Sequence, residues 1–292
     1  AITIRYSSSL IDENSTFSSN SSEGKAGAIY LEQGQSNSGS CELLLDGTVF
    51  SDNQSDNAGG AIYAKDATTV DVINADFTAN YGTKGGAIFF NGIDSDASFT
   101  NTNFAENSTN TMISGGEGGA IIAMANGSAK PSGLILNNTT FTENSAKTFG
   151  GAIVVGGPYN NNQYGGVSIS DSMFSENSSY SSQSSAGGAI YINTDSSDDV
   201  SVYQSYFSEN TSEISAGALY IASAGDISIV LSRFINNQAN GQSNVYDKYG
   251  GAILIDAFTF VCAGLIITGL PKLRPQASEE ATDKAEQTKV GV

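Results

Sequence analysis

Two short signatures alternate along the chain at intervals of 26 to 37 residues, and a chain that repeats at this period has to bury its apolar face against its own copies. The first signature is Gly-Gly-Ala-Ile or a near variant, at residues 59–62, 85–88, 118–121, 150–153, 187–190 and 250–253, with weaker copies at 26–29 and 216–219. The second is Phe-x-x-Asn, at Phe50/Asn53, Phe77/Asn80, Phe104/Asn107, Phe141/Asn144, Phe174/Asn177, Phe207/Asn210 and Phe234/Asn237. Seven and five positions before each Phe stand apolar residues: Leu43/Leu45, Val70/Val72, Ala97/Phe99, Leu134/Leu136, Val167/Ile169, Val200/Val202 and Ile227/Ile229. Apolar residues two apart describe a strand. The same spacing selects Ile11/Asn14 with Ile4/Tyr6 as the first copy, while Phe17/Asn20 also fits the short motif, which leaves the first repeat open by six residues. At the far end Phe258, Phe260 and Leu265, with Thr268 in the Asn position, form a degenerate last copy.

Each unit holds at least two β-rich runs and is too short for a strand–helix–strand crossover. One coil per repeat satisfies this, so the expected fold is all-β: a right-handed parallel β-helix of about eight coils plus a degenerate C-terminal coil. It would form one domain over residues 1–270, followed by a charged tail or linker at 271–292. Stacking would place Ile62, Ile88, Ile121, Ile153 and Ile190 in one interior column and the phenylalanines in another. The paired glycines suit a tight corner that needs positive φ or close approach of the next coil, and stacked Asn amides can bond along the axis. Length variation then falls in loops, the long ones at 156–165, 193–199 and 239–249.

The net charge of −18, from 30 acidic and 12 basic residues, argues against nucleic acid as a partner. There is no His, which removes Ser-His-Asp and Cys-His catalysis and His-ligated metals. Cys41 and Cys262 fall at opposite ends of the array, too far apart for a disulfide. The chain opens on Ala without a basic-then-apolar leader and reads as a mature or excised piece. Residues 257–270 are apolar and precede Lys272 and Arg274, yet a helical span needs about 20 residues, so a hydrophobic cap is favoured over a transmembrane span.

The combination of Gly-Gly-Ala-Ile with Phe-x-x-Asn, repeated from Ile2 to about Ile255, resembles the repeat of the chlamydial polymorphic outer membrane proteins and related surface β-helices. That resemblance implies the exported passenger of an autotransporter, adhesion to host cells, and an extracellular or bacterial outer-membrane location. The C-terminal β-barrel that anchors such passengers is not in the sequence, so the chain reads as a fragment or as a protein held at the surface by another route.

Candidate sites follow from stacking. After each Ile comes a second column, Tyr30, Tyr63, Phe89, Ile122, Val154, Tyr191, Tyr220 and Leu254, which strict alternation turns outward. Left open, it is an apolar interaction stripe for a protein or glycan at a cell surface, or for other copies of the chain; otherwise a loop or the tail covers it. Glu106, Glu143, Glu176 and Glu209 would line up about 4.8 Å apart, either as hydrated corner residues or bridged by Ca²⁺. Of the Asn-x-Ser/Thr sequons, Asn126 and Asn137 lie off the Asn column and are the candidate glycosylation sites. The acidic pairs Asp94/Asp96 and Asp198/Asp199 sit in turn-like stretches, where Asp bonds locally. The expectation is a secreted or surface-displayed scaffold for adhesion or self-assembly, not an enzyme and without cofactor or metal; the alternative is a carbohydrate-active β-helix enzyme.

Overall fold

Each period-two run becomes a strand, and each residue in it lies beside its copies one repeat away. Val70 pairs with Leu43 and Ala97, and Val72 with Leu45 and Phe99. The computed structural model describes residues 2–256 apart from 6–7, 34–40, 68, 94, 110–114, 126–132, 158–164, 182–183 and 241–249. Over these residues the chain is a right-handed parallel β-helix with four sheets, one of nine strands and three of eight. We number the coils from the first-sheet strand, so that eight are complete and Ile253–Ile255 begins another. Coil 5 shows the plan: Ile121–Met124 in the first sheet, Leu134–Asn137 in the second, Thr140–Thr142 in the third and Ser145–Ala146 in the fourth. The degenerate last copy at Phe258, Phe260 and Leu265, like the tail, lies outside the described residues.

Single left-handed residues turn the chain between sheets. In coil 5 these are Asn138 (φ 50) and Glu143 (φ 55), and Gly150 (φ 56) opens coil 6. Their equivalents repeat the conformation in coil after coil, including Asn74, Asn101 and Asp171 at the first corner and Glu106, Glu176 and Glu209 at the second. At the third corner the two glycines have different reasons. Gly150 needs the positive φ, whereas a Cβ on Gly151 would overlap the carbonyl oxygen of Gly188 in the coil beyond. Ala26 and Ala216 adopt the same left-handed turn in the weaker copies (φ 58 and 51).

Inside, the isoleucines at 62, 88, 121, 153 and 190 are fully buried and in register. From Phe17 to Phe234 the phenylalanine rings form one continuous stack, with centroids 4.6 to 5.0 Å apart and planes within 8° of parallel. Beside it runs the Asn ladder. Asn144 Nδ2 donates to Asn177 Oδ1 in the following coil (3.0 Å) and to the Phe104 carbonyl in the preceding one (2.9 Å). Its Oδ1 accepts both the backbone N–H and the Nδ2 of Asn107 (3.0 Å each). Every hydrogen-bonding position of the buried amide is therefore used, with the amide-to-amide bonds all running in the same direction along the axis, as burial of a polar group demands. A further interior column was not apparent from the sequence: Thr139, Ser172 and Ser205 are buried just past the first corner, and backbone N–H groups of Thr139 and Ser172 donate to Ser172 Oγ (3.1 Å) and Ser205 Oγ (3.2 Å).

The first repeat resolves in favour of Phe17/Asn20. Phe17 stacks on Phe50 at 5.0 Å, and Asn20 Nδ2 donates to Asn53 Oδ1 at 2.8 Å. The Ile11/Asn14 register is thereby corrected: Ile11 faces solvent, 67% exposed, and Asn14 is the left-handed corner residue (φ 59). The copy is disguised because Asp12 occupies the inward position held by Leu45 in the next coil, where it accepts a hydrogen bond from Thr48 Oγ1 (2.6 Å). Ile4 belongs to the first sheet, paired with Leu31.

Candidate interaction surfaces

The second column does face outward from the first sheet, but most of it is not on the surface. Tyr63, Phe89, Ile122, Val154 and Tyr191 are buried, in a second apolar cluster with Ala26, Ala58 and Ala186. The chain just before each glycine corner folds back over the sheet and forms its own bridges, Ala58 with Lys84 and Phe149 with Ala186. The covering position is held by small residues, Ala58, Ala186 and Ser215, and by large ones, Lys84, Glu117 and Phe149. Lys25 completes the cover over Tyr63, with Nζ 4.2 Å from the ring centre and 2.9 Å from the phenol oxygen. The exposure expected for the whole stripe is thus corrected: only Tyr30, Tyr220 and Leu254, toward its ends, are half-buried. Rings stack along it, Tyr30 on Tyr63 at 5.4 Å and Tyr191 on Tyr220 at 5.3 Å.

Near the first-coil end of this column Tyr30 Oη donates to Glu32 Oε2 (2.8 Å), and Lys65 Nζ lies 2.9 Å from Glu32 Oε1. The hydrogen bond from Lys65, then that from Tyr30, holds the Glu32 carboxyl below its usual range, while the same Glu32 contact raises Lys65. Burial, followed by the bond to Glu32, pushes the Tyr30 phenol far up. Glu117, just before the corner at Gly118, is a buried carboxylate with Lys84 Nζ 3.6 Å away. Desolvation raises it and Lys84 only partly opposes the shift.

The other predicted sites take their places in the coil. Glu106, Glu143, Glu176 and Glu209 stand exposed, one per coil, at the left-handed corner between the third and fourth sheets. Asp96 Oδ1 accepts the backbone N–H of Gly133 (2.6 Å) and Asp199 Oδ1 that of Asp226 (2.9 Å), so each caps backbone in the neighbouring coil; Asp94 lies outside the described residues. Asn137 ends its strand with an exposed side chain that accepts a hydrogen bond from Ser170 Oγ (3.3 Å). The Thr139 of its sequon is buried, with its hydroxyl donating to the Asn137 carbonyl (3.2 Å). Asn126 lies outside the described residues. The sequon asparagines Asn53, Asn107, Asn177 and Asn210 are buried in the ladder.

One surface was missed by the sequence reading. Met173, Tyr203 and Leu231, exposed by 39, 43 and 56%, lie where the second sheet turns into the third on coils 6 to 8, and Ile235, 37% exposed, ends the third-sheet strand of coil 8. Half-buried Tyr206 lies between Met173 and Arg233 in the third sheet, and Val230 beside Tyr203 in the second. In earlier coils the same columns are mostly polar: Asp76, Asn103 and Thr140 precede Met173, and Thr100, Asn137 and Ser170 precede Tyr203. Leu231 adopts φ 53 at a corner held elsewhere by Asn14, Asn74, Asn101, Asn138 or Asp171. A left-handed conformation disfavours a bulky side chain by about 1 kcal/mol. The signal in the sequence is a Leu in a column otherwise of Asn, Asp, Gly and Gln, which becomes visible only once the register is known.

Four stretches, 14–32, 47–65, 138–156 and 171–193, match the model of the Chlamydia polymorphic membrane protein (Chlamydia_PMP) repeat. No curated protein and no solved structure gives a match. Each matched stretch starts at the left-handed corner after a second-sheet strand and runs through the third and fourth sheets and the glycine corner into the first-sheet strand of the next coil. Coils outside those stretches have the same geometry, Phe77, Asn80 and Gly85 occupying the equivalent places. Four stretches of the chain are therefore similar to the Chlamydia polymorphic membrane protein repeat, and the same coil geometry recurs between and beyond them.

Proposed function

We propose that the chain is a secreted or surface-displayed, non-catalytic scaffold that makes contacts through its long side, for adhesion or self-assembly at a cell surface. The repeat family supports the surface location. The observation that carries the reading is the exposed group of Met173, Tyr203, Leu231 and Ile235. Contiguous apolar surface is uncommon on a monomer and marks contact sites, and Tyr, Met and Arg are the residues that interfaces favour. Leu231 strengthens it, since an exposed Leu in a left-handed corner serves contact better than stability.

Beads coated with the protein should attach to cultured epithelial cells, and beads carrying Tyr203→Ser, Leu231→Asn and Ile235→Ser together should not. Leu231→Asn should leave the fold intact and slightly more stable, since Asn is at ease in this conformation. Full attachment by the triple variant would reject this surface as the contact, and cleavage of polysaccharides by the wild-type chain would reject the scaffold reading.

A further inference from the structure

We infer that the apolar group on coils 6 to 8 is the interface of an antiparallel, side-by-side dimer of this chain. The inference rests on the same surface being a contact site and names its occupant, a second copy.

The argument comes from the order of residues in the sheet. Reading from coil 6 to coil 8, the central outward column of the third sheet is Met173, Tyr206 and Arg233. On coil 6 the corners on either side of Met173 are exposed acids, Asp171 and Glu176. On coil 8 the corresponding corners are Leu231 and Asn236, uncharged, beside the exposed cation Arg233. Charge therefore shifts across the surface, from the acids Asp171 and Glu176 on coil 6, through Tyr206 and the exposed corner acid Glu209 on coil 7, to the cation on coil 8.

Two copies meeting face to face are related by a twofold axis lying in the plane of contact. With that axis along the coil-7 strand, coil 8 of each copy lies over coil 6 of the other and columns stay aligned. Tyr206 and Glu209 then meet their counterparts, Leu231 lies over the partner's Asp171 corner, and each Arg233 comes down beside Met173 between Asp171 and Glu176 of the partner, so two sets of opposite-charge contacts stand against one like-charge pair. With the axis along the helix instead, Arg233 would face Arg233. The charges thus select the antiparallel arrangement. The two copies carry −18 each, so a contact seated on a local cation offsets part of their general repulsion.

Sedimentation velocity of the full chain across a concentration series tests this. A monomer–dimer equilibrium is expected. Arg233→Glu should weaken it by about tenfold or more, and adding Asp171→Lys and Glu176→Lys to that variant should restore it. All three side chains are exposed, so the coils should persist with only a small loss of stability from Asp171→Lys at its left-handed corner, which far-ultraviolet circular dichroism and thermal melting check. A chain that stays monomeric throughout, or a dimer indifferent to Arg233→Glu, overturns the inference. The bead assay separates this from the broader reading: monomeric protein whose attachment still depends on Tyr203 and Leu231 overturns the dimer alone, whereas a charge-swappable dimer that never attaches to cells sustains the dimer and overturns adhesion.

Discussion

At the scale of single residues the ladder amide is the least replaceable group in the coil. Replacing Asn144 by Ala would strip partners from the Phe104 carbonyl and from the backbone and side-chain N–H groups of Asn107, all in a buried setting. Each stranded group costs roughly 1–3 kcal/mol, so Asn144→Ala should lose about 3 kcal/mol or more in a urea titration. Glu117 behaves in the opposite sense. Its folded-state carboxyl is raised by burial, so its contribution to stability is present in full below the ordinary Glu range and is lost as pH rises through the shifted value. Glu117→Gln should therefore raise the melting temperature at neutral pH by about 2 °C and flatten the pH dependence above the ordinary Glu range; a variant that melts lower at pH 7 would contradict this. Glu32, lowered by Lys65 and Tyr30, has the reverse dependence and loses its contribution as pH falls. Asn and Phe were legible in the sequence because each repeat spells them in full. The burial of Glu117 was not, since it arises from a neighbour's fold.

At the scale of elements, the second- and third-sheet strands could be read from alternation, and the glycine corner from its doublet. The fourth sheet could not: its strands have two residues in coil 5 and elsewhere, too few to display a period. The outward stripe shows the other boundary of what alternation says. It gave the direction of Tyr63 and Val154 correctly but carried no information on the segment that folds back over them, whose covering position takes small residues such as Ala58 and large ones such as Phe149 alike. The doublet itself is a strict demand. Gly151→Ala would drive a methyl into the Gly188 carbonyl and disturb the bond from Gly151 N to Gly187 O (3.1 Å). Large destabilisation is expected, on the order of 2 kcal/mol or more, with amide exchange accelerated at the third corners of coils 6 and 7 first. Equal protection in variant and parent would mean that the coils separate easily there.

At the scale of the molecule, contacts run between neighbouring coils, and stability accumulates coil by coil. Residues 74–100 make up one repeat unit, because Asn74 and Asn101 occupy the same corner 27 positions apart and bond to each other (3.2 Å). Deleting them should yield a folded protein one coil shorter, in which Phe50 stacks on Phe104 and Asn53 bonds to Asn107, with an unchanged β spectrum by circular dichroism and a lower melting temperature. An unfolded product would show that coil order carries more than nearest-neighbour contact. Asp12 bears on how evenly such an array holds together. It stands in the inward column where Leu45 stands one coil on, and it accepts the hydrogen bond from Thr48 Oγ1 in place of apolar packing. A single inward carboxylate thus gives up apolar burial at its own coil, which makes that coil a weak link in a stack held together by nearest neighbours.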